Sequence, residues 1–178
     1  MAHPSYQWLY GILLFGVTYI FLIPPFQAPD EAHHLYRTYH LSTGNLFAIK
    51  TAEQRLGGTI PVSLDSFAQT FRSLRYNQGK KTDWTTLRQE FSTPLNPDRQ
   101  AFFDFPNVGY YAPFGYLPAV VAVGIGKMIN APLIVLLYLA RLATFLTWTL
   151  LMMFAIRQLP MQQYTFLLLM LLPASLVF

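Results

Sequence analysis

Two adjoining stretches decide the fold class: QWLYGILLFGVTYIFLI at residues 7–23, then PPFQAPDEAHHLYRTYHLSTGNL at residues 24–46. The first has no charge and, with its flanks, reaches about 20 residues, enough for a helix to cross about 30 Å of hydrocarbon. Pro24 and Pro25 then end the helix. We therefore predict a first span over 1–23 that leads into a polar segment. A cleaved signal peptide is the alternative, but it needs a basic beginning, and no Lys or Arg precedes Arg37.

The composition of the whole chain indicates an integral membrane protein. Of 178 residues, 53% are hydrophobic and 11% are charged, whereas soluble domains carry about 25% charged residues. Mean hydropathy is +0.33. All eight acids and nine of the twelve Lys and Arg residues lie between Asp30 and Asp104, so no basic stripe exists. This distribution excludes nucleic acid as a partner. The lack of cysteine excludes disulfides and thiolate metal sites.

Hydrophobic segments alternate with one long polar loop, and we predict a single membrane domain over residues 1–178. Its parts are a first span at 1–23, an external loop at 24–112, a juxtamembrane helix or second span at 113–130, a span at 132–156 and a truncated span at 162–178. Prolines and glycines interrupt segment 113–130, so both placements stay open. Because the apolar run of the last segment, 164–178, stops after 15 residues, we expect the chain to be an N-terminal portion.

Orientation depends on the short turn that contains Arg157. Basic residues in short loops favour the cytoplasm, while loops longer than about 60 residues largely escape this rule. We therefore place Arg157 inside and the long loop outside, provided that 113–130 does not cross. If it does cross, Lys127 is cytoplasmic and Arg157 external.

The stretch after the first span predicts a short helix over residues 29–43. Pro29 suits the first helical position, Asp30 and Glu31 suit the first turn, and Gly44 suits the C-cap. On that helix Asp30, His33, His34 and Arg37 follow the spacing i, i+3, i+4, i+7 and should share a face. We expect His40 to be an ordinary surface histidine.

Four segments in order resemble a family of uncharacterised bacterial multispanning membrane proteins, a domain of unknown function placed beside the GT-C glycosyltransferases. They are the 24–46 stretch above, YYAPFGYLPAVVAVGIGK at 110–127, LYLARLATFLTWTLLMMFAIRQLP at 137–160 and LLMLLPASL at 168–176. The resemblance implies an all-α, GT-C-like fold with three to four hydrophobic helices. It also implies a large external loop with short membrane-parallel helices, in a multi-pass protein of the bacterial plasma (inner) membrane.

GT-C enzymes transfer a sugar from a polyprenyl-phosphate carrier to an acceptor outside the cytoplasm, and an acid in their first external loop commonly serves as base or metal ligand. Asp30 matches that position, with Glu31 as the second choice. Such a base deprotonates the attacking hydroxyl. The competing interpretation is that both acids only favour the helix dipole.

The leaving lipid phosphate needs a cation or a metal. Arg141, a charge inside a predicted span, is costly there and so should have a partner or a task. We predict that it binds the carrier phosphate, with Arg37 as a second candidate. A structural pair with an acid on a further helix, or snorkelling towards the membrane surface, is the alternative for Arg141. A divalent metal is the only cofactor that the residues suggest, with Asp30, His33 and His34 as candidate ligands.

Substrate contacts complete the prediction. His34, Tyr111 and Tyr116 are candidates to contact the sugar or the lipid, although an interfacial aromatic belt also explains the tyrosines. The predicted function is sugar transfer from a polyprenyl-phosphate-linked sugar to a glycan or lipid acceptor of the cell envelope, beside the lipid bilayer. A transporter or a carrier-binding protein without catalysis is the alternative, and an accessory anchor is a third. We expect Asp30 and Arg141 to face one cavity.

Overall fold

The computed structural model describes residues 4–77 and 79–158, with the single positions Thr165 and Leu168. Apart from those two positions, the predicted truncated span at 162–178 lies outside the described residues. The described chain is mostly helical. Its elements in order are α1 (Pro4–Leu22), α2 (Glu31–Ser42), β1 (Ile49–Lys50), β2 (Leu56–Pro61), α3 (Val62–Tyr76), α4 (Trp84–Glu90), β3 (Gln100–Asp104), α5 (Pro106–Gly109), a 3-10 helix (Pro113–Tyr116), α6 (Leu117–Met128) and α7 (Leu133–Gln158).

A three-stranded antiparallel sheet corrects the all-α prediction. The strand order is β1-β2-β3, with Gly57 opposite Asp104 and Thr59 opposite Phe102. Strand β2 is not predicted from the sequence because it contains two glycines and a proline, which are depleted in strands. Gly57 and Gly58 are needed there for space: a Cβ on Gly57 would overlap a backbone carbonyl of β3, and one on Gly58 would overlap the ring of the α2 histidine His40.

Helix α2 confirms the predicted helix, beginning two residues later and ending one residue earlier than 29–43. Its N-cap is Asp30, so Pro29 lies before the helix. Gly44 has φ +88° and donates its N–H to the carbonyl of Leu41 at 2.9 Å, as the predicted C-terminal glycine should. Most of α2 is buried. The prediction for His40 is therefore wrong: its side chain is 1% exposed, because the sheet covers it.

The chain divides into two compact units, of which Pro24–Ala140 is one. Its core joins aromatic residues of the exit loop and α3 to apolar residues of α2, the sheet and the start of α7. Phe26 lies edge-on to Phe67, with ring centroids 4.9 Å apart, and Phe67 lies edge-on to Phe71 at 5.6 Å. Edge-to-face pairs at such distances add stabilisation beyond the area that they bury. This unit therefore has a hydrophobic core of its own.

The other unit contains the chain up to Ile23 and from Arg141 onward. Within it, α1 contacts α7 closely, and a Cβ on Gly16 would overlap the ring of Phe145. Ile20 is completely buried, and Met152 and Met153 are nearly so. Small residues at helix interfaces allow such close approach.

One helix among the described residues is long and apolar enough to cross a membrane. Helix α7 has 26 residues, about 39 Å of helix, and mean hydropathy 1.8 over its most apolar window. The apolar stretches Leu9–Leu22 and Pro113–Met128 are shorter. Helix α6 buries Ala119, Val123 and Gly126 and exposes the opposite face.

Candidate functional site

The loop between α1 and α2 has an unusual backbone. Phe26 has φ +61° and Asp30 has φ +56°, in the left-handed region that costs most residues about 1–3 kcal/mol. Asp tolerates this region better than most residues, but a bulky aromatic such as Phe26 is an outlier there. The packing of the Phe26 ring against Phe67 and Phe71 holds the loop in place. Such strain concentrates at functional sites.

The Asp30 carboxylate does not cap α2 although Asp30 occupies the N-cap. Instead its Oδ1 accepts a hydrogen bond of 3.0 Å from the side-chain amide of Asn107, in α5. Among the described residues, no hydrogen bond reaches Oδ2. The carboxylate is therefore fixed in direction by one donor while a second oxygen remains available to a ligand.

Asp30 lies at the edge of a cleft of about 510 Å³ within the Pro24–Ala140 unit. We call it the polar cleft, because six of its lining residues carry or can carry charge: Asp30, His33, Arg55, Asp65, Arg72 and Asp104. Helices α2 and α3 and the ends of β2 and β3 supply these side chains. The Nδ1 atom of His33 is buried and has no hydrogen-bond partner in the described part of the chain.

Two contacts organise the wall of the polar cleft. Arg55 Nε donates to both carboxylate oxygens of Asp104, at 3.1 and 3.0 Å, joining the start of β2 to the end of β3. Tyr36 donates its hydroxyl to Asp65 Oδ1 at 2.9 Å, joining α2 to α3. Burial raises the pKa of Tyr36, and the negative charge of Asp65 raises it further. The phenol therefore remains a hydrogen-bond donor.

His34 faces a different group, the tyrosine cluster of His34, Tyr111 and Tyr116. His34 Nδ1 lies 2.9 Å from the hydroxyl of Tyr116, and its ring centroid is 6.2 Å from that of Tyr111 and 5.8 Å from that of Tyr116. Burial lowers the pKa of His34; the charge of nearby Asp30 opposes this, and that of His33 adds to it. The structure thus brings three predicted substrate contacts together near Asp30.

The remaining predicted residues of α2 are buried. Glu31 is 2% exposed and Arg37 is 1% exposed. Arg37 Nη2 donates to the carbonyl of Leu46 at 2.8 Å, fixing the chain after the helix. The four side chains predicted to share one face of the helix therefore have three different environments. Asp30 and His33 line the polar cleft, His34 contacts the tyrosines, and Arg37 binds the loop after the helix.

No group of three or more His, Cys, Asp or Glu side chains in the described part of the chain is arranged to hold a metal ion. The candidate ligands Asp30, His33 and His34 accordingly form no such group. His33 lies on the polar cleft and His34 against the tyrosines. The role of a divalent metal stays a prediction.

Arg141 belongs to the other unit and is 3% exposed. Its Nη1 donates to the carbonyls of Ile20 and Ile23, both at 2.9 Å. These carbonyls end α1, where intrahelical donors run out, and an arginine there satisfies them. This contact gives the buried charge a structural task. The predictions that Arg141 binds a carrier phosphate and shares a cavity with Asp30 stay predictions.

Sequence reasoning missed the partners that shape the polar cleft. Asn107 lies 77 residues from Asp30, and Arg55 lies 49 residues from Asp104. Asp65 and Arg72 lie on α3, in a region of poor periodicity. No motif or spacing marks these residues, because their meeting depends on the sheet that the sequence hides.

Residues 13–178 match the model of a family described as predicted membrane protein (DUF2142). Because the match covers almost the whole chain, the chain belongs to this family and is expected to contact the lipid bilayer. No curated protein and no solved structure matches it.

Proposed function

We propose that this member of the predicted membrane protein family DUF2142 acts in glycosyl transfer, with Asp30 as the base that activates the acceptor. The proposal takes its reaction from the GT-C resemblance. The observation that supports it is the carboxylate of Asp30, which sits on a strained backbone, leaves its own helix uncapped and is oriented by Asn107 at the edge of the polar cleft.

The chemistry needs one carboxylate placed against a hydroxyl. As the acceptor oxygen attacks the anomeric carbon, Asp30 takes the hydroxyl proton. The new bond joins the acceptor oxygen to that carbon, and the bond from the carbon to the carrier phosphate breaks. The phosphate leaves with the bonding electron pair, so the charge that Asp30 loses reappears on the carrier.

Asp30 suits this role better than Glu31. Glu31 is 2% exposed and interacts within the protein, so a substrate hydroxyl has little access to it. The exposed ring of Tyr111, with Tyr116 and His34 beside it, offers an aromatic surface for the sugar or the first units of the lipid. Arg141 remains the proposed contact of the carrier phosphate; because it is 3% exposed, this contact requires it to exchange its bonds to the carbonyls of Ile20 and Ile23.

The test is transfer from a panel of polyprenyl-phosphate sugars by the protein in liposomes. Asp30→Asn keeps the size of the side chain and removes the base. We expect it to lower the transfer rate by about 10²–10⁴-fold, the usual contribution of a general base. Glu31→Gln should lower stability rather than the chemical step. Full transfer by Asp30→Asn would end the assignment.

A second function, binding of the lipid carrier without bond making, is favoured by one observation. The 3-10 helix and α6 expose an apolar stripe formed by Phe114, Leu117, Val121, Ile125 and Met128. Such a stripe suits acyl or prenyl chains as well as bulk lipid. Under this alternative the carrier binds but no product forms, and under its transporter form the substrate accumulates in vesicles.

A further inference from the structure

The polar cleft has the size and position of a ligand site. Its volume of about 510 Å³ lies within the range of about 300–1,000 Å³ typical of small-molecule sites. Both its walls and its floor belong to the Pro24–Ala140 unit. It also reaches Asp30, the residue to which we assign the proton transfer.

The charges of the polar cleft disfavour a charged ligand. Three carboxylates line it, from Asp30, Asp65 and Asp104, against two guanidinium groups, from Arg55 and Arg72. Arg55 is already paired with Asp104 at 3.0 Å. Outside that pair the lining keeps two carboxylates, of Asp30 and Asp65, and one guanidinium, of Arg72. An anion therefore meets more negative than positive charge, and a cation meets the guanidinium of Arg72. A neutral ligand avoids both penalties.

The hydrogen-bonding groups of the polar cleft suit hydroxyls. Asp65 accepts from Tyr36 and has a second oxygen for a ligand donor. Arg72 uses Nη1 on Gln69, at 3.2 Å, and a guanidinium has five N–H groups in all. The imidazole of His33 also lines the polar cleft, although its Nδ1 atom is buried. A hydroxyl group both donates and accepts, so a ligand rich in hydroxyls matches this mixture.

Aromatic rings complete the site. Tyr36 and Phe103 line the polar cleft with ring centroids 6.1 Å apart, and Tyr76 lies at its edge, 73% exposed. Phe103 and Tyr76 offer apolar contact to the C–H side of a ring that carries hydroxyls on its rim, while Tyr36, 4% exposed, packs beside Phe103. Few ligands other than saccharides combine such a face with so many hydroxyls and no charge.

We propose that the polar cleft binds a neutral saccharide, through Arg72 and Asp65 to its hydroxyls and through Phe103 and Tyr76 to its ring face. Its role as the acceptor site rests on the proposed function, because the bound saccharide then presents a hydroxyl to Asp30. The binding itself does not depend on transfer. If the polar cleft is the acceptor site, the acceptor is a glycan and not a lipid.

The experiment is saturation-transfer NMR on the full chain in nanodiscs, with three neutral trisaccharides (cellotriose, maltotriose and triacetylchitotriose) and one anionic trimer of galacturonate. We expect saturable binding of at least one neutral probe, and weaker binding of the anionic one. Arg72→Met should raise the Kd at least about tenfold, as the loss of one good hydrogen bond to a charged group does. Asp65→Asn, which keeps an acceptor for Tyr36, should also raise it.

The matched control is Arg88→Met, because Arg88 is an exposed arginine on α4 outside the polar cleft. Its Kd should stay within about twofold of the wild type. The proposal is overturned if no neutral probe binds with a Kd below about 10 mM, if the galacturonate trimer binds more tightly, or if Arg88→Met weakens binding as much as Arg72→Met.

The two proposals fail in different ways. If Asp30→Asn transfers sugar at the wild-type rate while Arg72→Met loses saccharide binding, the catalytic assignment falls and the saccharide site stands. If Asp30→Asn abolishes transfer while no neutral saccharide binds, the catalytic assignment stands and the saccharide site falls.

Discussion

At the scale of single residues, the buried arginines make structural contacts that the sequence does not reveal. Arg37 and Arg141 both stand out as cations near or within apolar sequence, and both donate to backbone carbonyls. Arginine suits this because its planar group offers several donors at once. Asp30 occupies the N-cap of α2, but its carboxylate does not cap the helix and instead accepts a hydrogen bond from Asn107.

The contact of Arg141 with the end of α1 predicts a loss of stability when the guanidinium is removed. Arg141→Met leaves the carbonyls of Ile20 and Ile23 without this donor, which should cost about 1–3 kcal/mol of unfolding free energy. Titration with SDS in mixed micelles measures it. Arg88→Met, at an exposed position of α4, serves as the control and should change little. Unchanged stability of Arg141→Met, with lost binding of polyprenyl phosphate, would assign the charge to the carrier instead.

At the scale of elements, the sequence predicts what local rules determine. The helix after the first apolar run and its terminal Gly44 are predicted from proline, acidic and glycine positions, and α2 confirms the helix and Gly44, while Pro29 and Asp30 lie before its first turn. The sheet does not follow, because β2 forms where Gly57 and Gly58 let a neighbouring strand and a histidine ring approach. The backbone of Asp30 also escapes local rules, since long-range packing around Phe26 holds its loop. These contacts carry no signal in a single sequence.

The packing of α1 against α7 gives a prediction with a control in the same helix. Gly16→Val places a side chain where the ring of Phe145 lies, so overpacking should cost about 1–3 kcal/mol. Gly11→Val meets nothing within 4 Å and should stay within about 0.5 kcal/mol of the wild type. Thermal unfolding in detergent compares the two variants. Equal midpoints for both variants would contradict the described contact.

At the scale of the whole molecule, the exposed apolar surface and the family description both indicate a membrane protein. Helix α7 exposes Leu150, Leu151 and Phe154, and the family is described as a predicted membrane protein. Exposed apolar faces of this extent are typical of lipid contact. The long polar segment outside the cytoplasm remains the prediction on which access to lipid-linked sugars depends.

The lack of cysteine in the sequence makes this topology directly testable. Gln89→Cys lies on an exposed position of α4, and Gln158→Cys lies at the exposed end of α7. With a maleimide that does not cross membranes, we expect Gln89→Cys to react in intact cells and Gln158→Cys to react only after permeabilisation. The opposite pattern would place the polar segment, and with it Asp30, in the cytoplasm.

The central claim is that the carboxylate of Asp30 removes a proton during sugar transfer, and the most direct measurement is the single-turnover rate at saturating lipid-linked sugar. Asp98→Asn, an exposed acid outside the polar cleft, provides the comparison. We expect the rate of Asp30→Asn to be at least about 10²-fold below that of Asp98→Asn, with both proteins equally folded. Equal rates for the two variants would contradict it.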